Sequence, residues 1–361
     1  MAKKTMKAQV FYKPNDMRLV EMPIPQIGDD EILVRVKACG ICGSDIAYYF
    51  GLSPLETKTG LGPLILGHEF TGQVVEVGKI PAQRKLCKPG DRVVLDPLEY
   101  CYACEVCGRG QVNLCQNKSV LGVSVNGGFA EYAKCKYTSA HLLPPNVSYE
   151  HGALTEPLAC CFYGVKNLQV ELGMTCVLLG PGAIGLLMAQ LIKSSGAGKL
   201  IVVGARGDDY RLNLALQLGA DVVLNVAEPE SKHYCKDVKE EIASQTGGKF
   251  ADRVITPTGA VPAMELAFEI SGRRSVIVFF GLPGAKDYVR VPALQSIFSD
   301  KTIRFSWLAP LTWPSALQAL STGLVKVDKL VTHSFKLGDL VEGLERVRSR
   351  SDKVMKAVVK P

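Results

Sequence analysis

The stretch MTCVLLGPGAIGLLMAQLIKSSGAGKLIVVGARGDD, Met174 to Asp209, leaves a chain few choices of fold. Thr175 to Leu179 is a short apolar run. Gly180-x-Gly182-x-x-Gly185 follows at once and opens an apolar helix through about Ser195. Leu200 to Val203 is the next apolar run. Strand, glycine turn, helix, strand is a parallel βαβ unit. Between a strand and a helix, the glycine pattern is a dinucleotide-binding signal. Gly180 permits the tight turn. Gly182 lets the backbone approach a pyrophosphate seated on the helix N-terminus. Gly185 lets helix and strand pack closely. Pro181, Ala183 and Ile184 complete the turn. The competing reading is a structural turn ahead of a core helix.

One such unit does not occupy 361 residues, and a chain of that length is expected to form two domains with separate cores. No apolar run approaches a bilayer-spanning length. The start, MAKKTMKAQVFYKP, carries no apolar block and no small-residue cleavage site, so a cytoplasmic location is expected. The net charge of +7 is spread along the chain, and its densest run, ERVRSRSDKVMK, is interrupted by acids. A solvated basic face explains it better than a nucleic-acid site.

Twelve cysteines are too dilute for a disulfide scaffold. Four of them are clustered, at Cys101-x2-Cys104-x2-Cys107-x7-Cys115. Two-residue gaps let turns gather thiolates, and the longer return closes a tetrahedral set of the kind zinc prefers. Four protein ligands leave no open position, so this centre clamps a loop and performs no chemistry. Iron–sulfur ligation is the alternative, but the proline that follows a last ferredoxin cysteine is absent. Cys87, Cys135, Cys160, Cys161, Cys176 and Cys235 lack ligand spacing, and most of them read as small buried hydrophobes. Cys39 is taken as core.

Chemistry must then come from elsewhere. KACGICGSDIAYYF contributes Cys42, Ser44 and Asp45. LILGHEFTGQVVEVG contributes His68, one of five histidines, and Glu69, ahead of an alternating strand-like run. PESKHYCKDVKEEIAS reads as a polar, helix-like surface segment whose His233 and Cys235 are exposed and incidental.

Together these motifs resemble the zinc-containing medium-chain dehydrogenase/reductase superfamily, in kind its sorbitol, threonine and butanediol dehydrogenases. The resemblance spans essentially the whole chain: C-G-I-C-G-S-D at 39–45, G-H-E at 67–69, K-P-G-D-R-V at 88–93, the cysteine lobe, G-G-F-A-E-Y at 127–132, E-P-L at 156–158, the glycine turn, T-G-A-V-P-A-M-E at 258–265 and the closing D-K-V-M-K. It implies an α/β protein. A GroES-like β-rich catalytic domain covers 1–158, with a structural zinc lobe at 96–118. A Rossmann domain with a doubly wound parallel sheet covers 159–300, and residues 301–361 return to the first domain. The active site is expected in the cleft between them.

The resemblance also implies two zinc ions, one structural and one catalytic. Cys42 and His68 bind the catalytic ion with a carboxylate. Glu69 is ranked slightly ahead as direct ligand, and Glu156 is placed beside the zinc-bound water. Ser44 is the first stop for the alcohol proton. Asp45 either holds the His68 ring or caps a helix.

Three departures from the family pattern matter. The histidine that relays the proton in many relatives is Ala47 here, so the proton leaves through water or cofactor hydroxyls. The acidic residue that binds the ribose hydroxyls of NAD is replaced by Gly204, followed by Ala205 and Arg206. With Arg206 and Arg211 near, that favours NADP over NAD, although Asp208 or Asp209 could fold back to the ribose. The polyol branch carries an aromatic pair matched by Tyr48 and Tyr49. Tyr49 is a candidate substrate contact, or else a packed loop tyrosine. FSWLAPLTWP at 305–314 lacks the arginine of sorbitol enzymes, which points to a drier pocket.

The expected activity is a zinc-dependent alcohol or polyol dehydrogenase that passes a hydride from a secondary alcohol to NAD(P)⁺ and leaves a ketone. A sugar-phosphate dehydrogenase and a threonine-dehydrogenase-like enzyme are the alternatives. A nucleotide-binding regulatory protein without catalysis is the alternative of another class. A homodimer or homotetramer without nucleic-acid or membrane partners is expected.

Overall fold

A computed structural model of the chain describes residues 4–53 and 62–361. The chain folds as two compact units. One comprises Met1–Pro157, Pro310–Gly323 and Val327–Pro361, the other Leu158–Ala309 and Leu324–Lys326.

The first unit is β-rich. Among the described residues its main sheet has seven strands, in the order Ala140–Leu142, Arg92–Leu95, Glu69–Val77, Glu31–Gly40, Lys356–Lys360, Val331–Lys336, with Tyr132–Lys136 also paired to Glu31–Gly40. The central strand Glu31–Gly40 is buried at seven of its ten positions and is paired on both edges. A smaller sheet joins Asp16–Pro23, Thr5–Lys13 and Leu64–Ile65. Fully buried Phe11, Phe70, Phe129, Ile32 and Leu66 fill the core of this unit.

The second unit holds a parallel sheet. Its described strands run Val222–Asn225, Lys199–Gly204, Thr175–Leu179, Ala251–Thr256, Ser271–Phe279, Thr302–Phe305, and every neighbouring pair is parallel. This is the doubly wound order, with its reversal between Thr175–Leu179 and Ala251–Thr256. The inner strands are almost continuously apolar, as a sheet covered on both faces demands. The helix Ala183–Ser194 buries eight of its twelve residues. Thr302–Phe305 still pairs with Ser271–Phe279. The return expected at residue 301 therefore falls at Pro310, with Leu324–Lys326 going back to the second unit.

Candidate active site

The cysteine lobe is built on a short helix, Glu105–Gly108, with Cys104 at its N-cap and Cys107 within it. The Sγ–Sγ distances are 3.4 Å for Cys104–Cys107, 3.6 Å for Cys115–Cys101, and 3.9 Å for Cys101–Cys107 and Cys104–Cys115. A disulfide needs about 2.05 Å, whereas a zinc tetrahedron with bonds of about 2.3 Å separates its sulfurs by about 3.8 Å. The lobe therefore has the dimensions of a four-thiolate metal clamp. Backbone N–H groups of Ala103 and Cys104 pull the Cys101 thiol down to about 6, which favours the thiolate a metal requires.

The second cluster forms where two strands and a helix meet. Cys42 precedes the helix Gly43–Tyr49, and His68 precedes the strand Glu69–Val77. One donor atom each from Cys42, His68 and Glu69 lies within 4.8 Å of the others. Asp45 caps the helix and lies close to the His68 ring. Its Oδ2 accepts from the Cys42 N–H at 2.9 Å, closing a capping box. Its Oδ1 accepts from the Gly67 N–H at 3.3 Å and lies 3.6 Å from His68 Nδ1. Burial pushes the Asp45 carboxyl up, against the pull of His68. Burial opposes protonation of His68, yet the charges of Cys42, Asp45 and Glu156 carry its pKa well above the usual value. A soft thiol, an imidazole and carboxylates packed this closely are suited to a divalent cation, and the donor set fits zinc.

Glu156 opens the helix Thr155–Leu168 and is 8% exposed. Its charge acts on His68 and Lys356, but it stands outside the three-donor group. Ser44 is half-buried in the first turn of its helix. Tyr49 does not face this cluster. It packs edge-on to Phe50 at 4.9 Å and senses Glu345 and Asp16. Tyr48, 1% exposed, is the tyrosine that senses Asp45. Successive helical residues diverge by about 100°, so the pair cannot share a face. Cys39 is buried as expected, beneath the cluster and within reach of the Asp45 and Glu69 charges.

One member went unnoticed in the sequence. Lys356 is 7% exposed, its Nζ donates to the Ile41 carbonyl at 2.8 Å, and it is ion-paired with Glu69. A lysine inside the otherwise apolar strand run KAVVK was the available signal.

In the parallel-sheet unit the glycine turn has the expected build. Gly180 has φ +118°, a Cβ on Gly185 would lie 2.0 Å from the Gly180 carbonyl oxygen, and a Cβ on Gly182 would enter open space. Gly204 ends its strand, and Arg206 is exposed. Asp208 accepts from the Ala205 N–H at 2.9 Å and pairs with Arg211 at 3.1 Å. Asp209 binds Asn225 at 2.8 Å and Ser231 at 2.5 Å. His233, expected to be exposed, is part-buried and bonded to Asn213 at 3.1 Å, because residues 226–237 fold back on the end of strand Val222–Asn225. Among the described residues no helix is long and apolar enough to cross a membrane.

Residues 28–145 match the alcohol dehydrogenase GroES-like domain, and residues 183–322 match the zinc-binding dehydrogenase family. A D-arabitol-phosphate dehydrogenase of Enterococcus avium is 34% identical over 98% of this chain and 97% of its own. A sorbitol dehydrogenase of Bombyx mori is 32% identical over 95% of each. The crystal structure of a zinc-binding dehydrogenase from Sinorhizobium meliloti bound to NADP is 30% identical, with a TM-score of 0.89 over 99% of this chain and 100% of that one.

Proposed function

This chain belongs to the zinc-containing medium-chain dehydrogenase/reductase superfamily and is an oxidoreductase acting on CH–OH groups, and from that premise we propose that Cys42, His68 and Glu69 hold its catalytic zinc. The reading is carried by one observation: three donors of the right chemistry converge within 4.8 Å. It oxidises a secondary alcohol or polyol to the ketone. The net change removes a hydride from the alcohol carbon and a proton from its hydroxyl, and the protein takes the proton. Zinc, when bound, supplies a Lewis acid that lowers the pKa of the substrate hydroxyl, and the nicotinamide supplies the hydride acceptor.

The residues around it bind and orient. Asp45 fixes the position of His68 through the Gly67 and Cys42 backbone. Ser44, two residues after Cys42, accepts the alcohol proton at Oγ. Ala47 offers no further acceptor, so the proton passes on through water or cofactor hydroxyls. Glu156 lies near enough to influence His68 without joining the three donors. Cys101, Cys104, Cys107 and Cys115 hold a second, structural zinc. Gly180 to Gly185 receive the cofactor pyrophosphate.

NADP is the favoured cofactor. No carboxylate stands at Gly204, that of Asp208 is engaged by Ala205 and Arg211 and that of Asp209 by Asn225 and Ser231, while Arg206 is exposed. A cytoplasmic location fits twelve cysteines that form no disulfide and include the five proposed as zinc ligands. A pentitol or hexitol is the proposed substrate class. Its phosphate ester is the second reading, favoured by the resemblance to the arabitol-phosphate enzyme.

The test is an assay of zinc-replete protein with diols, pentitols, hexitols, threonine and polyol phosphates, following reduced nicotinamide with NAD⁺ and NADP⁺ in parallel. Chelator-sensitive turnover of a polyol or its phosphate is expected. Threonine turnover alone, or nucleotide binding without any turnover, would refute it.

A further inference from the structure

The reading above leaves one buried charge without a task. Lys356 sits in the strand Lys356–Lys360, whose other inner residues are buried alanine and valines. That strand and Glu69–Val77 lie on opposite edges of Glu31–Gly40: Val358 pairs with Gly40 on one side, and Glu69 pairs with Gly40 on the other. A Cβ on Gly40 would lie 2.1 Å from Glu69 Oε2. The Glu69 carboxylate therefore crosses the central strand through the notch that this glycine leaves. On the far side it meets the Lys356 ammonium, which the Ile41 carbonyl holds at 2.8 Å. Burying an ammonium is costly unless it is paired and hydrogen-bonded, and both conditions are met here. An ion pair that served only to dock the last strand would not need a carboxylate that also borders Cys42 and His68.

We propose, resting on the assignment of Cys42, His68 and Glu69 as a metal centre, that Lys356 is a positioning residue for that centre. By engaging Oε2 it leaves Oε1 as the single carboxylate donor, so Glu69 binds the metal through one oxygen and a coordination position stays open for the substrate hydroxyl. The ammonium has a second consequence. The Cys42 thiolate and the Glu69 carboxylate together cancel the charge of a dication, and Lys356 returns one positive charge to the site. That charge favours ionisation of a bound alcohol. Without Lys356 the freed Oε2 can close on the metal as well, adding a fifth donor beside the three side chains and the oxygen in the open position.

Cobalt(II) exchanged into the Cys42 centre of the folded holoenzyme reports this directly, because its visible absorption depends on coordination geometry. Wild type and Lys356→Arg should give an intense four-coordinate spectrum. Lys356→Met should give a weaker, five-coordinate spectrum, with zinc retained at the cysteine lobe and the melting curve showing a folded protein. A Lys356→Met spectrum identical to wild type at equal cobalt content would overturn the proposal. Should Lys356→Met fail to fold, wild type decides it: a five-coordinate cobalt spectrum there overturns the proposal, and a four-coordinate one upholds it. If wild type takes up no metal beyond the cysteine lobe, the assignment of the centre falls and the proposal with it.

Discussion

At the scale of single residues, the two glutamates divide the work by where the backbone puts them. Glu69 is one bond sequence away from His68 and opposite Gly40, whereas Glu156 begins a helix. On the proposed assignment, Glu69→Ala should lower bound zinc by one ion per chain by metal analysis, whereas Glu156→Ala should leave the zinc content unchanged and lose turnover. Arg206 is predicted to act on cofactor choice alone. Losing a charge-assisted bond to a 2′-phosphate costs about 1.5–3 kcal/mol, so Arg206→Gly should raise the KM for NADP about tenfold or more and leave that for NAD unchanged.

Asp96 carries a pH signature. Burial pushes its carboxyl up to about 7, opposed by the Leu98 N–H and helped by Glu156 and Glu99. The folded protein then holds a proton that the unfolded chain, with an ordinary carboxylate, releases near pH 4. Asp96 is thus neutral about this window's lower end and costs stability progressively as pH rises toward 7. Asp96→Asn should flatten that loss, so its stabilisation measured in denaturant should be larger at pH 8 than at pH 5.

At the scale of elements, short-range spacing and long-range register contribute differently. The cysteine lobe is local. Its ligands fall between Cys101 and Cys115, and between them only Val112 and Asn113 are buried. With little core of its own, the lobe would depend on the structural zinc proposed for it. Cys115→Ser should release one zinc and expose residues 101–115 to limited proteolysis, while the main β-sheet stays folded. The glycine turn was equally legible, because a strand, a turn and a helix N-terminus are adjacent in the chain. The tyrosines were not. Sequence shows an aromatic pair, but only the seating of helix Gly43–Tyr49 determines that Tyr48 turns toward Asp45 and Tyr49 toward Glu345.

At the scale of the whole molecule, the parallel sheet ends on an open edge. Its outermost strand Thr302–Phe305 leaves Phe305 74% exposed, and the preceding helix Ala293–Phe298 exposes Ile297 and Phe298 at 73% and 77%. An edge of this kind invites pairing with a second copy. The chain is expected to sediment as a dimer or larger, and Phe305→Lys with Ile297→Lys should shift it toward monomer.

The sequence by itself determined the glycine turn and the four-cysteine cluster, because each is written in contiguous residues whose spacing sets its geometry, whereas the β-rich unit and the meeting of Cys42 with His68 and Glu69 were implied only by the family resemblance. Tertiary structure alone decided that Lys356 lies against Glu69, that Asp209 is engaged by Asn225 and Ser231, and that Glu156 stands outside the three donors. Those relations depend on which strands share an edge and in what register. Register is set by the burial of whole faces, so no short stretch of chain contains it.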